Sequence, residues 1–315
     1  MNTAAMELLE DGYSSSSSPN HSEHSGLPGS DDGVNREEDP EIMRREMQVQ
    51  ANLTVRSEHE GYLQLLRDNK LHLKLLDAFD VYHSQFTMGI ELWEEWIQLA
   101  AVTIPTNWQR REGIWRACVT EHNTVSLWVQ YMEFMAVATL QAGSEDEKVK
   151  ATWIEQARQV MKEATRKNGL HVVEGHKIWL SYASFEEYLG NRSVVVDILQ
   201  RAIQIPLLEH GEVLASLQEL QLSDAMQEKI QALHRAMEKE LKKRMKYEKM
   251  VRNMEEGKSP PLGAYVEYLQ FEGEKGGLDR FLNLHQRALL ACGYEIPLLW
   301  EMLLNQLSRT PPAQA

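Results

Sequence analysis

Three sets of residues have the types that chemistry needs. Glu186 and Glu272 are carboxylates set into largely apolar stretches. Side by side in space, they could serve as a general acid and base. Each, however, follows an aromatic pair by the same interval, Trp179 and Tyr182 in one case, Tyr265 and Tyr268 in the other. Equivalent places in separate units suggest structural partners instead. We expect Glu272 to meet Arg280 or Arg287, and Glu186 to meet Arg201. The second set is the basic run Lys239, Lys242, Lys243, Arg244, Lys246 and Lys249. As a working surface it would bind RNA or an acidic partner tail. The plainer reading is a solvated helix face, because Glu238, Glu240 and Glu248 interleave with it. The third set is histidine. His83, His122, His176, His210, His234 and His285 scatter over different units, and His285 sits on an apolar face, where a hydrogen-bonded core histidine is the simpler role. His21 and His24 have no Cys or acid at ligand spacing.

Motifs that would organise such groups into a reaction centre are absent. There is no His-Glu-x-x-His, no Cys-x-x-Cys and no Gly-x-Gly-x-x-Gly. No Gly-rich loop precedes a Lys-Ser or Lys-Thr, and no Gly-x-Ser-x-Gly occurs. The expectation is a chain with no catalytic, metal or cofactor residue, no cofactor, and no enzymatic activity.

The elements that must position these residues announce themselves through aromatics. In residues 263–300, Tyr265, Tyr268, Leu269 and Glu272 recur at i, i+3, i+4 and i+7, which puts them on one helical face. Gly273 and then Gly276-Gly277 punctuate the end of that helix. Leu278, Phe281, Leu282, His285, Leu289 and Cys292 form the face of a second helix, capped by Gly293. The aromatic–x–x–aromatic step appears again as Trp93 and Trp96, Trp128 and Tyr131, and Trp179 and Tyr182, and Trp300 begins a last one. The intervals Trp93 to Trp128 and Tyr265 to Trp300 are each 35 residues, close to the ~34 of tetratricopeptide-type hairpins. Trp128 to Trp179 exceeds that by 16, and we place the surplus in a polar loop at residues 142–148. Such hairpins cannot bury their apolar faces alone and must stack. The aromatics therefore read as core.

Composition agrees with a soluble chain: 43% hydrophobic, 25% charged, and no apolar run near the ~18–20 residues of a membrane span. The N-terminus lacks a basic-then-apolar signal peptide. Cys118 and Cys292 lie far apart on helical patterns and read as reduced core residues in a reducing compartment. Of the net charge of −14, eight units fall in the first 47 residues, where eleven acids face three arginines. The rest is only mildly acidic, which argues against a broad phosphate-gripping surface.

In chain order we expect a disordered Ser- and acid-rich tail (1–40), a repeat block (41–223), a long charged helix and Pro-containing linker (224–262), a further repeat with the start of the next (263–307) and a disordered end (308–315). Residues 213–220 hold the position of a first helix without its aromatics. The Pro-rich end is not a plausible solenoid cap, so the chain reads as a piece or short isoform of a longer array.

These units resemble half-a-tetratricopeptide (HAT) repeats, found almost only in RNA-processing scaffolds. Trp179, Tyr182 and Glu186 match the first-helix pattern, as do Tyr265, Tyr268 and Glu272. Arg201-Ala202-Ile203 and Arg287-Ala288-Leu289 match the end of the second helix, and Arg116-Ala117-Cys118 does so more loosely. The Trp93 and Trp128 units depart at the Glu position, which holds Ala100 and Met135. Residues 168–171, running on to Ile178-Trp179, and residues 201–207 are similar to a group of animal HAT splicing factors. That resemblance implies reassembly of the U4/U6 snRNP after splicing, a nuclear location, a homodimer, and service as an adaptor for a ubiquitin-specific protease. In that group, RNA is bound largely by RNA-recognition motifs near the C-terminus, and dimerisation and protease recruitment belong to a C-terminal HAT half. This sequence has neither.

The expected fold is all-α: a right-handed α-solenoid of HAT/TPR-like hairpins behind a disordered acidic head. The expected role is a non-enzymatic scaffold in nuclear mRNA splicing, with spliceosomal snRNP proteins or other RNA-processing factors as partners and no membrane contact. The alternative is a general protein–protein adaptor, or a short form that regulates the full-length factor without binding RNA.

Overall fold

Helix starts and stops follow from local chemistry. Pro40 occupies the first turn of α1 (Pro40–Ala51), and the Asp39 side chain accepts a hydrogen bond from the Glu41 amide at 2.8 Å. That pairing of cap and proline satisfies a donor the helix cannot. Asp146 does the same for the amide of Lys148 at the start of α7 (Glu147–Asn168). Gly190, at φ 76°, ends α8 (Gly175–Tyr188) with the Gly190 amide on the Glu187 carbonyl and the Asn191 amide on that of Glu186. A side chain would strain that left-handed position.

The computed structural model describes residues 39–142, 146–255 and 262–309. The Ser- and acid-rich head up to residue 38, the Pro260-Pro261 break and the end from residue 310 lie outside them. Among the described residues there are fourteen helices and no strand. The fold is an all-α stack of helical hairpins. The chain divides into two units, Met1–Ile114 and Trp115–Ala315. The first holds α1, α2 (Arg56–Asp68), α3 (His72–Gln85) and α4 (Ile90–Thr103), each packed on the next. The boundary falls inside α5 (Trp108–Glu121). The second unit continues with α6 (Val125–Ala142), α7, α8, α9 (Arg192–Ala202), α10 (His210–Glu219), α11 (Asp224–Glu255), α12 (Leu262–Lys275), α13 (Leu278–Cys292) and α14 (Pro297–Arg309). Here α6 packs on both α7 and α8, and α8 packs on both α9 and α10. First helix against next first helix is the contact that makes a solenoid.

Two local expectations change. The 16-residue surplus is not a loop insertion at 142–148. It lengthens helices instead: α6 runs 18 residues and α7 runs 22, against 14 in α8. A longer apolar stripe on each lets the pair extend rather than bulge. Nor does Gly273 end its helix, for α12 continues to Lys275. Gly273 is instead a close-approach point. Its carbonyl accepts from the Gln306 amide of α14 at 3.2 Å, and a Cβ there would lie 2.9 Å from that side chain.

The aromatic steps form the core. In the first unit Trp93 stacks on Trp96 at 5.2 Å, and Trp96 on Phe79 at 5.7 Å. In the second, Tyr131 lies parallel to Trp115 at 6.2 Å, and Tyr268 to Tyr247 at 5.1 Å. The last helix differs, with Leu299 buried and Trp300 left 40% exposed.

That contrast gives a measurable outcome. Trp93 is fully buried, so Trp93→Ala should cost ~3–5 kcal/mol. Trp300→Ala should cost under ~1 kcal/mol. Urea unfolding of the two variants checks it, and equal losses would contradict the packing.

Candidate functional site

The sequence-predicted motif residues go inward. Trp93, Trp96, Trp128, Tyr131, Trp179, Tyr182, Tyr265 and Tyr268 are all at most 6% exposed, and Glu186 and Glu272 at most 2%. The two glutamates sit on different hairpins, each with its own arginine, so they do not form a paired-acid centre.

Their partners are not those expected. Glu186 does not meet Arg201, and Glu272 meets neither Arg280 nor Arg287 as its hydrogen-bonding partner. Arg158 of α7 donates from Nε and Nη2 to the two Glu186 oxygens at 2.7 and 3.0 Å. Arg244 of α11 does the same to Glu272 at 2.7 and 3.1 Å. Each arginine lies 28 residues before its glutamate, on the helix that precedes the aromatic one. The physical reason is direction. Arg201 instead places its guanidinium over the Trp179 ring at 5.3 Å. Arg287 pairs with Glu248 of α11 at 2.8 and 2.9 Å, and Tyr268 donates its hydroxyl to the same carboxylate at 3.0 Å. Arg158 and Glu248 were missed by sequence reasoning. The repeated 28-residue spacing was the signal that could have found the first.

Burial alone would raise the Glu186 carboxyl, but Arg158 and the Asn191 amide, at 2.7 Å, overcome it and hold the group below its ordinary range. The Tyr268 hydroxyl is pushed far up by burial and by Glu248 and Glu272 beside it. Gly276 makes room for the second site, since a Cβ there would collide with the Glu272 carboxylate at 1.7 Å. A fourth bidentate pair, Arg67 to Glu95 at 2.6 and 2.8 Å, joins α2 to α4 in the first unit, but it is 27% and 36% exposed.

A cleft of about 840 Å³ opens in the second unit. One wall is the 171–177 segment with Leu208, Glu209 and Glu212. The other is α11 from Met245 to Arg252 with Tyr265, Arg287, Leu290 and Ala291. The walls are tied at one edge by Asn283, which donates to the Lys167 carbonyl at 2.7 Å. His176 lines the cleft with its side chain 9% exposed, its Nε2 3.8 Å from Glu212 and its Nδ1 unpartnered. Cations and carboxylates alternate around this cleft, so it offers hydrogen bonding to a polar chain more than a dry pocket.

The basic run divides. Lys239, Lys242, Lys243 and Lys246 are exposed. Arg244 is 2% exposed and held by Glu240 and Glu272, so it cannot contact RNA or an acidic partner. Among the described residues no group of three or more His, Cys, Asp or Glu is set to hold a metal ion, and no helix is long and apolar enough to cross a membrane.

With repeats, buried ion pairs and cleft in place, the class is defined. The profile of the PRP39 N-terminal HAT repeat matches residues 46–219, and the chain belongs to that family. Its similar relatives include the "Spliceosome associated factor 3, U4/U6 recycling protein" of Homo sapiens, of Pongo abelii and of Mus musculus, each 25% identical over 275 residues and covering 85% of this chain. The chain spans only 27% of the length of those relatives.

Two outcomes test the site's electrostatics. Glu272→Gln leaves buried Arg244 with only the half-exposed Glu240 as counter-charge and should cost ~3 kcal/mol. Glu95→Gln in the half-exposed pair should cost under ~1 kcal/mol. Combining Glu272→Leu with Arg244→Met should restore most of the loss. Urea midpoints report all three. Separately, burial lowers the His210 and His285 imidazoles, and burial together with Arg287 and Lys177 lowers that of His171. Their unfolded value is about 6.5. The folded state thus resists protonation, and stability present above about pH 6.5 is lost as pH falls below it. Denaturant curves at about pH 7.5 and 5.5 should show the drop, and His285→Gln should flatten it.

Proposed function

We propose that this chain is a non-enzymatic docking scaffold in nuclear RNA processing, acting in the assembly or recycling of the U4/U6 snRNP. Membership of the HAT family supports the scaffold part. The U4/U6 recycling role for which the relatives are named supports the assignment to splicing. The observation that carries the reading is how the polar residues are used. The acids best placed for acid–base work, Glu186, Glu248 and Glu272, are each locked to an arginine in the core. What faces solvent is a cleft lined by both cations and carboxylates, with one unpartnered imidazole nitrogen buried in its wall.

In this reading the cleft takes an extended segment of a snRNP protein. The His176 ring and the carboxylates Glu209 and Glu212 meet its backbone and side chains, and Leu290 and Ala291 supply an apolar strip. Stacked hairpins suit such a guest because their helices offer a preformed groove. A preformed groove costs little ordering on the host side when a disordered segment docks.

The test is capture of partners from nuclear extract on the tagged chain, with RNase-treated and mock arms. U4/U6 snRNP proteins should be recovered in both arms. Ala291→Arg, an exposed cleft residue on α13, should abolish recovery while thermal melting stays unchanged. Recovery of unrelated adaptors without snRNP components, or no effect of the substitution, would overturn the reading.

A further inference from the structure

Between Arg235 and Lys249 the outward face of α11 carries one sign of charge, while the exposed Asp224 and Glu228 lie on the same face nearer its N-terminus. Arg235, Lys239, Lys242, Lys246 and Lys249 are all exposed. Their spacing of four, three, four and three residues places them within about 80° of arc at 100° per residue, over roughly 21 Å of helix. The opposite face holds Ile230, Arg244, Glu248 and Val251, all buried. The stripe is therefore the solvent side of a helix anchored along its length.

A solvated face ordinarily mixes signs, and in the sequence the interleaved acids seemed to supply the mixture. The structure removes most of them. Glu248 is 4% exposed and bound to Arg287 and Tyr268. Glu240 turns away to Lys243 at 2.5 Å and Arg244 at 3.1 Å. Glu238 alone stays at the margin, with its carboxylate 3.8 Å from His234. Among the described residues no carboxylate lies within ion-pairing reach of Lys239, Lys242, Lys246 or Lys249. Lys246 rests over the Tyr247 ring at 4.3 Å. In a chain of net charge −14, an uncompensated row of five cations is a local exception.

We propose that this stripe is a binding site for the phosphate backbone of RNA, without sequence selectivity. Cations about 5 Å apart along the helix can each meet a phosphate on a strand laid lengthwise. Four of the five are lysines, compact charges on flexible stems. They suit a row of phosphates whose positions vary, whereas planar carboxylates on a peptide favour the arginine fork. Among the described residues no exposed aromatic accompanies the row to stack bases, so contact is with the backbone. The stripe shares only Lys249 with the cleft wall, so Lys239, Lys242 and Lys246 test it separately from the cleft.

The experiment uses the full chain and a short fluorescein-labelled, uridine-rich single-stranded RNA, read by anisotropy between about 50 and 200 mM salt. About five phosphate contacts predict a log–log salt slope near −3.5, at ~0.7 per contact on a single strand. A second RNA of unrelated sequence should bind equally. Lys242→Glu with Lys246→Glu should lower affinity at least tenfold at the low-salt end with unchanged circular dichroism and melting. Ala291→Arg should leave RNA binding intact. No binding at low salt, a slope near zero, indifference to the charge reversal, or preference for polyglutamate over RNA at equal charge would each overturn the proposal.

Discussion

A buried charge must be matched, and that requirement shapes how one hairpin follows another in this chain. Arg158 with Glu186, and Arg244 with Glu272, are side-on bidentate pairs that join a helix to the aromatic helix after it. A carboxylate as buried as Glu186 is tolerable only with its charge and both oxygens satisfied. The two Nε–Nη2 forks and Asn191 do so in one geometry. Aromatic packing supplies most of the cohesion, but rings slide and exchange neighbours at modest cost. A bidentate pair does not slide. The pairs therefore set register between successive hairpins, while Trp, Tyr and Phe fill the space around them.

The same requirement explains why the polar groups of the second unit do structural work. Glu248 accepts from Arg287 and from Tyr268. Arg244 also lies beside Phe271, at 5.5 Å from the ring centre. Together these residues join α11, α12 and α13 into one network. Carboxylates committed in this way have their lone pairs occupied, which leaves none free to serve a substrate as a general acid or base must. The consequence for α11 is geometric. Glu240 and Glu248 are drawn to the core side, and the lysines between Lys239 and Lys249 are left on the other. A cationic face emerges from a helix of nine basic and six acidic residues.

Much of the architecture was legible beforehand. The aromatic–x–x–aromatic step, followed by Glu in the Trp179 and Tyr265 units and left incomplete at Trp300, predicted first helices at Trp93, Trp128, Trp179, Tyr265 and Trp300, and helices lie there. This succeeded because amphipathic period is a local property, written within a dozen residues. The ion-pair partners were not legible in the same way. Arg201 and Arg287 were chosen because each lay on the following helix of its own hairpin, yet Arg201 went to a Trp179 ring and Arg287 to Glu248. The surplus between Trp128 and Trp179 was placed in a loop because the segment at 142–148 is polar, whereas the helices on either side of it run to 18 and 22 residues.

By itself, then, the sequence determined that this protein is a succession of amphipathic helices whose aromatics must be covered by neighbours, and that no reaction motif runs through them. Only the tertiary structure decided which arginine answers which glutamate, that Arg244 belongs to the core rather than to the basic run, and that the lysines around it share one uncompensated face. The reason is range. Periodicity is set by bonds along the chain, whereas the partner of a charge depends on which helix comes to lie alongside it, and hairpin stacking brings together residues that sequence spacing keeps apart.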